Sequence, residues 1–171
     1  RVLDTGGCDM CFPADHPGWV GMKYGVDDSI KEADAIVVVV CDLPCVNALC
    51  KPRSDATSVH LDVDPLKRLM PVFYIDAELR YCVDANTSVQ QIVSHLQKSE
   101  TLQSQLKDSK YESRWLALQE SHSQLIASLD AKAVPADAES LSSAYVCSVL
   151  RHLAPKNTIY AVEAVTNSVV A

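Results

Sequence analysis

Glycine is scarce in this chain: five in 171 residues. A complete nucleotide-binding α/β domain spends more than that on its turns, so the composition argues against a whole domain of that kind. No Gly-x-Gly-x-x-Gly occurs, which leaves a dinucleotide-binding fingerprint without direct support. There is no His-Glu-x-x-His and no Ser/His/Asp set, so the sequence offers neither a zinc protease motif nor a hydrolase triad. Basic residues are the minority, 15 Lys and Arg against 22 Asp and Glu, for a formal charge of -7. With no basic cluster and no aromatic stripe to stack bases, the composition argues against nucleic acid as a partner. No apolar run approaches the roughly 18 residues that span a bilayer, so no membrane partner is expected.

Seven cysteines are present, an odd number, so they cannot all pair internally. Cys8-Asp-Met-Cys11 has the spacing of a zinc half-site or a redox pair, but a structural zinc needs a second pair. Cys41, Cys45 and Cys50 are too loosely spaced to complete it, and reduced, half-buried thiols of an intracellular protein are the expectation. Metal ligands: none. The cytoplasm is the expected compartment, with an organelle left open. The sequence opens on Arg1 rather than methionine and closes on the apolar Ser168-Val-Val-Ala171, and the expectation is an internal fragment of a longer protein.

What is present in strength is a pair of strands, each running into acid and proline. Asp34-Ala-Ile-Val-Val-Val-Val-Cys-Asp-Leu-Pro44 is a near-continuous β-branched run, the habit of a parallel strand covered on both faces. Ser58-Val-His-Leu-Asp-Val-Asp-Pro65 alternates, with Val59, Leu61 and Val63 on one face and His60, Asp62 and Asp64 on the other. Proline ends each ladder and turns the chain out at the carboxyl end, where ligands bind in open α/β sheets. Asp42, Asp62 and Asp64 therefore become candidates for gripping a nucleotide ribose. The competing explanation is that aspartate beside proline makes turns.

Around these strands the spacing predicts irregular chain over residues 1 to 25 and a helix capped by Asp27 or Asp28. It predicts strands near 35 to 41 and 58 to 63, a short one at Tyr81-Cys-Val83, and an amphipathic helix from Thr87 or Ser88 carrying Val89, Ile92, Val93 and Leu96 onto the sheet. A polar, glycine-free helical stretch follows from Gln97 to Asp130. Pro135 interrupts it, Asp137 or Ser140 opens a last helix closed by Pro155, and Thr158-Ile-Tyr-Ala-Val162 reads as a strand. The fold class is α/β.

Phe12-Pro-Ala-Asp-His-Pro17, Gly21-Met-Lys-Tyr-Gly25, the apolar strand and His60-Leu-Asp-Val-Asp-Pro65 occur in that order. In order and spacing they resemble the central domain of the thiamine diphosphate-dependent enzymes, in the acetolactate synthase and benzoylformate decarboxylase branch, over residues about 12 to 95. Leu153-Ala-Pro-Lys-Asn-Thr-Ile-Tyr-Ala-Val-Glu163 is similar to the first strand of that family's diphosphate-binding domain. The resemblance implies three parts: a partial Rossmann-like central domain over 1–96, a helical connector over 97–136, and the start of a diphosphate-binding domain over 137–171. It implies a parent enzyme that uses thiamine diphosphate and Mg²⁺ on a 2-oxo acid, as a decarboxylase or a carboligase, in a homodimer or homotetramer. Thr166 and Asn167, after Glu163, match the turn whose small polar side chains contact the cofactor's phosphates. Capping of a helix is the alternative for both.

His16 lies in the loop that reaches the active-site side in relatives. The family's activating glutamate belongs to an N-terminal domain and its Mg²⁺ to a Gly-Asp-Gly motif, and neither occurs here, so no catalytic residue is expected on this chain. Flavin-binding members carry an arginine in the loop after the first strand. Here Asp42-Leu-Pro-Cys-Val-Asn47 has none before Arg53, which argues against FAD. A non-catalytic nucleotide-binding or assembly module of the same fold is the alternative.

Overall fold

The computed structural model describes residues 1–6, 12–70, 76–135 and 141–161. In chain order the elements are β1 (Val2–Asp4), β2 (Trp19–Met22), α1 (Asp28–Glu32), β3 (Ala35–Val39), β4 (Thr57–Asp62), β5 (Leu79–Cys82), α2 (Ala85–Lys98), α3 (Glu100–Leu106), α4 (Ser109–Lys132) and α5 (Ser143–Leu153). They fall into two units, Arg1–Trp115 and Leu116–Ala171, divided within α4.

The first unit is mixed α/β. β3, β4 and β5 form a parallel sheet in that order, with Val38 opposite His60 and His60 opposite Arg80. A second, two-stranded parallel sheet joins β1 to β2, and the Val2 N–H donates to Gly18 O at 2.7 Å. The expectation of irregular chain over residues 1 to 25 is corrected by this pair. Strands of three and four residues carry too little periodicity to be read locally. Gly21 sits in β2 at φ 95, a conformation that a side chain would strain.

Local chemistry sets the helix starts. Asp27 caps α1 by accepting from the Ser29 N–H at 2.9 Å, and α1 buries Ile30. Asp84 caps α2 by accepting from the Thr87 N–H at 2.8 Å, so α2 begins at Ala85 and not at Thr87 or Ser88. A carboxylate is as good a cap as the hydroxyls, and it wins because it stands directly at the end of β5. Ser99 separates α2 from α3, and its hydroxyl accepts from the Leu102 N–H.

β3 is not covered on both faces. Val38 is 5% exposed and packs with Ala77, Ile36 and Cys41, whereas Val37 is 60% and Val39 40% exposed. A β-branched run reports strand propensity, and the covering of each face depends on what else packs there. α2 lies against β4, with Val89, Ile92 and Val93 each still almost half exposed. On β4 the polar face is buried, with Ser58, His60 and Asp62 all inside, and Leu61 is buried on the other face.

In the second unit, α4 continues to Lys132 and α5 follows, capped by the Ser142 hydroxyl, which accepts from the Tyr145 N–H at 3.1 Å. The anticipated caps Asp137 and Ser140 lie outside the described residues. Ala154 ends α5 just before Pro155, as the sequence suggests. Residues 158–161 form no strand, which corrects the expected Thr158–Val162 element, and Val162 lies outside the described residues. Among the described residues no helix is long and apolar enough to cross a membrane.

Candidate functional site

The carboxyl ends of β3 and β4 gather the polar residues of the first unit. At the end of β3 the backbone turns sharply: Val40 adopts φ 43 while its N–H donates to Leu61 O at 2.9 Å. Left-handed backbone is costly for a β-branched residue, and here it swings Cys41 and Asp42 out of the ladder. At the end of β4, Asp62 is 1% exposed. Its Oδ1 accepts from the Asp64 N–H at 2.9 Å, and its Oδ2 accepts from Lys67 Nζ at 2.8 Å. The same oxygen lies 3.3 Å from His60 Nε2.

Lys67 closes the group. It too has positive φ, 46, in the turn after Pro65, where its N–H donates to Asp64 O at 3.1 Å. That turn brings Nζ to 2.6 Å from Asp42 Oδ1 as well, so one ammonium ties the ends of β3 and β4 together. The side chain is largely buried, while Asp42 is exposed. Burial pushes the Asp62 carboxyl up, but the Lys67 hydrogen bond, the Asp64 N–H, the Lys67 charge and the His60 hydrogen bond together hold it below the usual aspartate value. Burial lowers Lys67, and the hydrogen bonds and charges of Asp42 and Asp62 outweigh that and raise it.

His60 is fully buried. Its Nε2 faces the Asp62 carboxylate, and its buried Nδ1 has no hydrogen-bond partner. An unpartnered polar atom in a sheet interior costs about 1–3 kcal/mol. The charged ion pair beside it fixes the ring all the same.

Of the three acids singled out from sequence, the structure joins Asp42 and Asp62 and recruits Asp64 only through its backbone N–H. Both Asp62 oxygens are occupied, whereas Asp42 is exposed and uses only Oδ1 in the ion pair. Through Lys67 the group ties the end of β3 to the end of β4. One ammonium against the Asp42 and Asp62 carboxylates leaves the group net negative, which disfavours a diphosphate. Lys67 escaped the sequence reading. Its one signal was its place behind the Asp-Val-Asp-Pro turn, which does not reveal a contact back to Asp42.

The other candidates are placed apart. His16 Nδ1 accepts from the Gly18 N–H at 3.0 Å, and its ring meets the edges of Phe12 and Trp115 at centroid distances of 5.0 and 5.7 Å. Arg53, the first arginine after β3, pairs with Asp55. Cys41 Sγ lies 3.1 Å from Thr5 Oγ1, Cys50 donates to Asp27 O at 3.0 Å, and Cys45 donates to Asn47 Oδ1 at 3.2 Å. Burial, with Cys50 and Cys41 nearby, pushes the Cys45 thiol up, away from the reactive thiolate. Cys8, Cys11, Glu163, Thr166 and Asn167 lie outside the described residues. Among the described residues no group of three or more His, Cys, Asp or Glu side chains is placed to hold a metal ion.

A cleft of about 400 Å³ separates the other face of the sheet from α2. Val37, Val59, Leu61 and Tyr81 line its floor, and Ser88, Gln91 and Ile92 its helical wall. The lining is apolar and offers no charged group to orient a substrate.

No protein-family model, no curated protein and no solved structure matches the chain.

Proposed function

We propose that the chain is part of a thiamine diphosphate- and Mg²⁺-dependent enzyme acting on 2-oxo acids, a decarboxylase or an acetolactate synthase-like carboligase. In it the first unit is a portion of the Rossmann-like central domain and serves as scaffold. One observation supports this most: the two acid-proline strands at the heart of the family resemblance pair side by side and in parallel as β3 and β4. Their carboxyl ends are tied by Lys67. In the intact parent the cofactor supplies the carbanion chemistry that releases CO₂. This chain's described residues hold the sheet that positions neighbouring parts. The internal ammonium between Asp42 and Asp62 favours scaffolding over nucleotide binding.

The test uses the purified chain in two assays. With thiamine diphosphate, Mg²⁺ and 2-oxo acids added, CO₂ release stays at the buffer rate, and turnover clearly above it would show that the chain is a catalyst in its own right. Titration with ADP and with FAD gives no saturable binding. A dissociation constant in the low micromolar range, roughly −8 kcal/mol, would replace the scaffold with a nucleotide-binding module.

A further inference from the structure

We draw no further inference here: the strongest candidate, the apolar cleft between the β3–β4–β5 sheet and α2, carries nothing because nothing in the structure shows what covers it.

Discussion

An aspartate as buried as Asp62 is tolerable only with its charge answered, since isolating a carboxylate from water costs several kcal/mol. Lys67 gives that answer, and the Asp64 N–H and His60 complete the shell. Lys67→Met keeps the length of the side chain and removes the ammonium, so it should destabilise the first unit by about 3 kcal/mol, the low end for breaking a buried pair. Asp42→Asn removes only the exposed partner and should cost less than about 1 kcal/mol. Urea denaturation of the two variants beside the wild type reads the difference, and equal, small losses would mean that Asp62 does not depend on Lys67. The pH dependence follows from the same group. Asp62 is lowered in the folded state, so its contribution is complete above the unfolded aspartate value. It fades as pH falls through the lower folded value. Stability of the wild type should therefore fall across the acid side of pH 4, and Lys67→Met should show a shallower fall over that window.

At the scale of elements, the two faces of β3 make opposite demands. Val38→Asp puts a carboxylate among Val38's neighbours Ala77, Ile36 and Cys41 and should cost several kcal/mol, with the group protonating instead of standing charged. Val37→Thr, on the open face, should stay within about 0.5 kcal/mol. Thermal melts that rank Val37→Thr as the worse variant would reverse the assignment of faces.

How much of this was legible varies from element to element. The positions of β3 and β4 follow from composition and turn residues, because β-branched runs bounded by acid and proline are locally specified, whereas β5, expected at Tyr81–Val83, has no such run and begins at Leu79. The Asp27 cap was equally readable. The exposure of Val37 was not, because burial is a property of what packs on a strand. β1 and β2 were hidden by their shortness and by their separation in sequence. The tie at the strand ends was half legible: Asp42, Asp62 and Asp64 stood out, whereas Lys67 reaches them through a left-handed turn that no spacing rule signals.

For the whole molecule, the functional proposal rests on residues that the two units carry separately. Thr166 and Asn167, which lie outside the described residues, are the only cofactor contacts that the resemblance assigns to this chain. In the full-length parent, replacing both with alanine should raise the cofactor concentration needed for half-maximal activity. A lost hydrogen bond to a charged phosphate is worth about 1.5–3 kcal/mol, or roughly 10- to 150-fold. Melting of the cofactor-free protein should change only by the cost of a helix cap, about 1 kcal/mol. An unchanged cofactor requirement with a lowered melting point would reduce both residues to caps.

The central claim, membership in a thiamine diphosphate-dependent enzyme, is tested most directly on the native protein. An antibody raised against the chain captures it from its source, and the captured material is assayed for CO₂ release and carboligation with a panel of aliphatic and aromatic 2-oxo acids. The expected result is turnover that disappears when thiamine diphosphate and Mg²⁺ are stripped by dialysis against a chelator and returns when both are restored. Captured protein that is intact and folded, yet turns over none of these substrates with the cofactor and metal present, would contradict it.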